Sequence, residues 1–265
     1  MKVIFEKLIR FKDDDGNVRY GEAPQGDDLV GQQVLVYDGE VLAPLPAAPI
    51  IYGIGLNYKT HIAEAKWPTP PNPSVFTKPP RALNGPFADV HIHPDCAQTM
   101  DYEGELAVII GREIKNAASE AEALDAVLGY AAANDVSSRQ WQMPEVSGGQ
   151  HGYAKSFDGF APLGPVITAA GKINPAKPGG LKLVTRVNGA GRQRVGTDDL
   201  LFGVGQLIMH LSRGATLDPG TVILTGTPGG VAAFMEPKAW LKDGDVVEVE
   251  IEGIGRIRNK YVFEQ

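Results

Sequence analysis

The sequence predicts a mainly β protein with some helix, an α+β fold in which a curled, mixed sheet or barrel carries a few helices on its surface. Three observations lead there. The 265 residues include 32 glycines and 20 prolines, enough turn formers to divide the chain into many short segments. Short apolar or alternating runs, the mark of strands, outnumber amphipathic ones. Helical periodicity is confined to three stretches, 58–66, 119–128 and 200–213.

In chain order, residues 1–42 read as short strands separated by the turn-forming runs Asp13-Asp14-Asp15-Gly16-Asn17 and Asp38-Gly39-Glu40. The run Ala43-Pro44-Leu45-Pro46-Ala47-Ala48-Pro49 cannot enter a central strand or a helix interior. It is expected to divide a small N-terminal β segment, 1–42, from a main domain, 43–265. Strands are expected there at 105–110, 165–168, 181–187, 221–224 and 246–251. In the last, Val246, Glu248 and Glu250 alternate with Val247, Val249 and Ile251, so one face should meet water. The helix at 200–213 has Asp198-Asp199 before it and Gly214 behind it, residue types that favour helix ends. No internal repeat or low-complexity tail interrupts this pattern.

Composition narrows the function classes. With 43% hydrophobic and 22% charged residues the chain is ordinary for a soluble globular protein. A net charge of −7 and a pI near 5.3 argue against a nucleic-acid partner. They leave an anionic small substrate open, because a metal and local cations reverse the field inside one cleft. The single cysteine, Cys96, permits no intrachain disulfide and has no evident activating neighbour, so it reads as inert. No apolar run approaches the roughly 20 residues of a membrane span. The N-terminal residues lack both a signal-peptide core and the acid-free, basic character of a presequence. A cytoplasmic protein is expected.

The chemistry concentrates in three places. Glu103 and Glu105 head the apolar run 106–110, and on a strand residues i and i+2 share a face. Two anions held together beside a core cost several kcal/mol each unless compensated, and a hard divalent cation is the simplest compensation. Asp135 follows the small apolar run 131–133 and could complete three oxygen ligands. Such a set suits Mg²⁺, Mn²⁺ or Ca²⁺ better than zinc, which prefers His and Cys. His61 and Glu64, three apart on one helical turn, form a carboxylate–imidazole pair suited to general base work. Lys155 stands at an apolar, proline-bounded turn where it could stabilise an oxyanion, and Arg139 and Gln142 have the spacing of a carboxylate clamp. Gly53-Ile54-Gly55 and Thr225-Gly226-Thr227-Pro228-Gly229-Gly230 lack the lysine ending of a phosphate loop. A Gly-x-Ser-x-Gly elbow is absent too, which disfavours a serine hydrolase.

Read together, Gly55-Leu56-Asn57-Tyr58, His61, Glu64, Phe76-Thr77-Lys78-Pro79, Asp101-Tyr102-Glu103-Gly104-Glu105-Leu106, Asn134-Asp135-Val136-Ser137-Ser138-Arg139, Lys155-Ser156-Phe157-Asp158 and Thr225-Gly226-Thr227-Pro228 resemble the fumarylacetoacetate hydrolase family in composition and order. The resemblance covers about residues 43–265. It implies a mixed β-sandwich roll, commonly homodimeric, with Glu103, Glu105 and Asp135 as Mg²⁺ or Mn²⁺ ligands. His61 and Glu64 would form a water-activating or proton-shuttling dyad on a lid, and Lys155 would stabilise an enolate or oxyanion. Lys78, Arg139, Gln142 and Thr227 would line the substrate pocket. Two departures stand out: His151 follows Gly148-Gly149-Gln150 where many relatives carry tryptophan, and Gly104 replaces a bulkier apolar residue between the glutamates.

The implied chemistry is enolate formation from a small α-keto or β-diketo acid. C–C hydrolysis of an acylpyruvate-like substrate is the favoured outcome, because a paired base is most needed to deprotonate water. Oxaloacetate tautomerisation or decarboxylation and dienedioate isomerisation are the alternatives. A biosynthetic enzyme on a larger substrate and a non-catalytic scaffold with a structural metal are the remaining classes, the last disfavoured by the His61, Glu64 and Lys155 set.

Overall fold

A computed structural model describes residues 5–13, 15–24 and 43–265. The first hairpin pairs β1 (Lys7–Lys12) with β2 (Val18–Glu22). Its turn closes as the sequence suggests, with Asp13 Oδ1 accepting from Asn17 N at 2.8 Å and Gly16 in the left-handed region. The turn expected at 38–40 lies outside the described residues. The chain continues through β3 (Ile51–Gly55), α1 (Lys59–Ala65), β4 (Ser74–Lys78), β5 (Val90–Ile92), β6 (Gly104–Ile110), α2 (Glu120–Asp125), β7 (Val127–Asn134) and the one-turn α3 (Pro144–Ser147). It ends with β8 (Ala161–Ala169), β9 (Lys182–Val187), β10 (Ala190–Gly196), α4 (Val204–Leu211), β11 (Val222–Leu224), β12 (Val246–Ile251) and β13 (Gly255–Phe263).

Two main sheets form among the described residues, beside two short two-stranded ones. The larger runs β2-β1-β8-β7-β6-β11-β3-β4, mostly antiparallel, with β11 and β3 parallel. After β4 the chain comes round so that Leu83–Asn84 pairs with the start of β8, and the sheet curls back on itself. The smaller sheet runs β10-β9-β12-β13-β5. β1 hydrogen-bonds directly to β8, and Leu45 and Ala48 of the proline-rich connector pack inside the roll.

Strand β6 shows why the roll needs this sequence. All seven of its residues are buried. Leu106, Val108 and Ile110 meet Leu183, Val249 and Ile251 of the smaller sheet, whereas Ala107 and Ile109 face the roll interior with Ala131, Ala133, Ala161 and Leu163. Small residues dominate there because a tightly curled sheet leaves little space. Glu105 shares the parity of Ala107, so the apolar face of the roll ends in a carboxylate. The expected alternation in β12 holds, with Val247, Val249 and Ile251 buried and their neighbours half-buried.

Two helices are shorter than expected. The helix starting after Ser119 stops at Asp125, because Val127 is already registered against Ile110 in the sheet. The third starts at Val204, after Gly203. Asp199, expected near its start, caps α1 instead, accepting from Thr60 N at 3.0 Å and Thr60 Oγ1 at 2.7 Å. No helix among the described residues is long and apolar enough to cross a membrane.

Candidate active site

The ends of β6, β7 and β11 lie at one mouth of the roll, because Asn134 pairs with Gly104 and Leu224 with Ala107. Glu103, Glu105 and Asp135 meet there, each offering an oxygen within 4.8 Å of the others. All three are buried, at 6%, 1% and 0% exposure, so their charges need answering.

The protein answers two of them. Lys155 Nζ donates to Glu103 Oε2 at 2.7 Å, Asp135 Oδ2 at 2.5 Å and Ser137 Oγ at 2.8 Å. Arg139 lies 2.5 Å from Glu103 through Nη2, and donates to Asp101 Oδ2 at 2.8 Å and Gln142 Oε1 at 2.9 Å. Burial pushes the Glu103 carboxyl up, but Lys155 and Arg139 outweigh it and hold the group far below the usual carboxylate range. Burial likewise works against the Lys155 ammonium, and Asp135 and Glu103 outweigh it.

Glu105 is different. Its Oε2 accepts from Gly226 N at 2.6 Å, an approach that needs the positive φ of Gly226, where a Cβ would strike Asn57 and the Ile54 carbonyl. Among the described residues no ammonium or guanidinium reaches ion-pair distance of Glu105. Burial, then Asp135 and Glu103, push its carboxyl well above the usual range. Four buried carboxylates, counting Asp101, thus face two buried lysines and the partly buried Arg139, and the excess charge falls on Glu105. Three converging carboxylate oxygens with one uncompensated charge fit a hard divalent cation held by Glu103, Glu105 and Asp135.

Lys78 departs from its expected place in the pocket wall. Its side chain is fully buried behind Asp135, bonding Asp135 Oδ1, Phe160 O at 2.6 Å and Val136 O at 3.3 Å. The curl of the sheet explains this, since it carries the end of β4 round toward β8. Burial drives the Lys78 amine below its ordinary value, against the pull of Asp135.

On the facing side, α1 presents His61 Nδ1 at 3.1 Å from Glu64 Oε2. A carboxylate there keeps the imidazole proton on Nδ1 and leaves Nε2 as the basic nitrogen. Glu64 Oε1 accepts from Gly230 N at 2.9 Å, and the His61 ring packs edge-on against Phe234 at 5.5 Å. His61 and Glu103 open on one cavity of about 130 Å³, lined also by Arg139, Gln142, His151, Lys155 and Thr227, with Phe76, Trp67 and Phe234 as apolar walls. This lies well under the roughly 300–1,000 Å³ of drug-sized ligand sites. Partial burial, then Lys155, hold the His151 imidazole below the usual histidine range. Cys96 is buried, and burial pushes its thiol up, as suits an inert residue.

Three contributors carried little signal in sequence. Asp101, fully buried, accepts from Ala232 N at 2.8 Å and Ala233 N at 3.1 Å while holding Arg139. Phe234 ends a one-turn 3-10 helix, Ala232–Phe234, that no sequence pattern marks. Gln193 reaches the site from the other sheet. Only Asp101, adjacent to the glutamate motif, could have been suspected.

Comparison with known proteins agrees with this geometry. The sequence model of the family Fumarylacetoacetate (FAA) hydrolase C-terminal matches residues 50–262. A protein of Archaeoglobus fulgidus is 43% identical over 253 residues, 92% of this chain and 94% of that one. The human mitochondrial oxaloacetate tautomerase FAHD2A is 41% identical over 221 residues, 83% of this chain and 69% of that protein. Among solved structures, fumarylacetoacetate hydrolase from Exiguobacterium antarcticum superposes with a TM-score of 0.85 at 36% identity, covering 97% of this chain and 99% of that one. The 5-carboxymethyl-2-hydroxymuconate delta-isomerase of Mycobacterium smegmatis gives 0.82 at 36% identity, covering 98% and 99%. Fold, carboxylate cluster and sequence likeness agree, and the chain belongs to the fumarylacetoacetate hydrolase family.

Proposed function

We propose that the protein is a divalent-metal-dependent enzyme that moves protons on a small keto diacid of the oxaloacetate type, interconverting keto and enol forms. The observation that carries this reading is the opening of one base, His61, and one carboxylate of the buried cluster, Glu103, onto the same small cavity. A relative 41% identical bears the name oxaloacetate tautomerase, and a similar structure that of an isomerase. Both favour proton transfer over the C–C hydrolysis expected from sequence. The cavity's size weighs against a larger biosynthetic substrate.

Mg²⁺ or Mn²⁺, held by Glu103, Glu105 and Asp135, would supply Lewis acidity toward the keto and carboxylate oxygens of such an acid. The chain's own residues do the rest. His61 Nε2 takes the proton from the carbon beside the keto group and delivers it to the oxygen to give the enol, the reverse transfer restoring the ketone, while Glu64 holds Nδ1–H and steadies the imidazolium. Lys155 has protein acceptors for all three ammonium hydrogens, so its charge favours a developing oxyanion through space. Arg139, spent on Asp101, Glu103 and Gln142, braces the carboxylate cluster. Phe76, Trp67 and Phe234 keep water from the proton being moved.

C–C hydrolysis is the second reading, favoured by the likeness to the Exiguobacterium hydrolase. Ultraviolet-followed decay of oxaloacetate enol, with acetylpyruvate in parallel, separates the two. Acceleration of enol decay in Mg²⁺, abolished by chelator, is expected. Cleavage of acetylpyruvate without any effect on the enol would replace the tautomerase by the hydrolase. A homodimeric state and a cytoplasmic location belong to the same proposal, the first testable by sedimentation.

A further inference from the structure

Gln193 lies on β10, in the smaller sheet, and is 1% exposed. Its side-chain oxygen accepts from Gly104 N at 3.0 Å. Its amide nitrogen donates to Thr227 Oγ1 at 2.7 Å and to Pro228 O at 2.8 Å. Thr227 Oγ1 in turn donates to Gly104 O at 3.1 Å. One buried amide, satisfied at both ends, thereby ties the residue between Glu103 and Glu105 to the loop 225–230.

That loop joins the two halves of the site. At one end Gly226 N holds Glu105, and at the other Gly230 N holds Glu64. The loop has no slack against the β10 hairpin, since a Cβ on Gly230 would come within 2.2 Å of the Arg192 carbonyl oxygen. The glycine at position 104 belongs to the same arrangement. A Cβ there would sit 2.1 Å from Thr185 Oγ1 and 3.1 Å from Gln193 Oε1, so its absence leaves Gln193 room to reach the backbone. Only an amide meets the demand: Gly104 N requires an acceptor, and Thr227 and Pro228 require donors.

We propose that Gln193 is a positioning residue, which sets the loop so that Gly230 N–H fixes Glu64 and thereby keeps the His61 proton on Nδ1. The kinetic part of this proposal rests on the enolate reading above. The His61 tautomer does not.

The test compares Gln193→Met, which loses both functions, with Gln193→Glu, which keeps the acceptor but cannot donate. Arg194→Ala, on the exposed face of the same strand, controls for general loosening of the hairpin. Long-range proton–nitrogen NMR of the His61 imidazole, without substrate, is expected to show one tautomer in the wild type and Arg194→Ala, and a mixture in both Gln193 variants. With saturating Mg²⁺ and oxaloacetate enol, kcat should fall about ten- to hundredfold for the Gln193 variants, with KM nearly unchanged. A wild-type tautomer in both Gln193 variants overturns the proposal whatever happens to activity, because a merely structural loss would leave the imidazole as it was. Should Gln193→Met fail to fold, Gln193→Glu gives the same two readouts. Should the wild type accelerate no keto-acid reaction, the enolate reading fails, and the tautomer ratio still decides the role of Gln193.

Discussion

Glu103 and Glu105 are two residues apart, yet replacing each by glutamine should move the stability of the metal-free protein differently. Glu103 answers two cations, the partly buried Arg139 at 2.5 Å and the buried Lys155 at 2.7 Å. Glu103→Gln leaves both short of a partner, and removing one member of a buried pair costs about 3–5 kcal/mol. At the roughly 2–4 °C per kcal/mol of a chain this size, the melting temperature should drop by about 6–20 °C. Among the described residues no cation lies at ion-pair distance of Glu105, and the repulsion from its neighbours Asp135 and Glu103 outweighs the attraction of Lys155. Glu105→Gln removes that repulsion and retains an oxygen for Gly226 N, so the melting temperature in chelator should hold or rise. Divalent metal reverses the comparison for Glu105. At a hundred times its Kd, Mg²⁺ should stabilise the wild type by about 2.7 kcal/mol. A loss of about ten- to hundredfold in affinity would leave Glu105→Gln only about 1.4 to 0.4 kcal/mol of that gain. Thermal unfolding followed by circular dichroism, in EDTA and in MgCl₂, reads both effects. Equal destabilisation of the two variants in EDTA, or an undiminished Mg²⁺ shift for Glu105→Gln, would refute the charge balance drawn here.

Three further outcomes follow from the same contacts. His61→Ala should lower turnover by about 10²–10⁴-fold if His61 is the general base, while Mg²⁺ affinity by calorimetry stays near the wild-type value; unchanged turnover removes His61 from the mechanism. Arg139→Lys keeps the charge but cannot span Asp101, Glu103 and Gln142 at once, so Mg²⁺ affinity should weaken about tenfold or more, and an unaltered calorimetric isotherm would show that the fork is dispensable. Hydrogen exchange over residues 57–66 should slow when oxalate binds with Mg²⁺, as expected of a segment that orders over substrate; identical protection with and without oxalate would mean that α1 is no lid.

Legibility in the sequence followed the range of the physics involved. Glu103 and Glu105 could be paired from strand parity alone, and the uninterrupted apolar run behind them announced a strand buried on both faces. His61 and Glu64 were readable from helical spacing, since their contact spans one turn. What escaped depends on closure of the roll. Lys78 was readable as a cation but not as a prop behind Asp135, because only the curl of the sheet brings β4 there. The early stop of α2 reflects the pairing of Val127 with Ile110, which no local propensity senses. Asp199 looked like a cap for the helix that follows it, and serves α1, a segment far earlier in the chain. Gln193 carries no local mark, being one polar residue between two arginines. The charge balance has the same long-range character. Each carboxylate of the cluster was visible in the sequence, but which of them the protein neutralises is decided by where Lys78, Arg139 and Lys155 end up. By pairing Glu103 and Asp135 with cations and leaving Glu105 with no ion-pair partner among the described residues, the fold keeps the cluster assembled yet one positive charge short. A site balanced by its own cations would be more stable and would have no electrostatic call for a metal. The unanswered charge on Glu105 is therefore best read as stability given up for function.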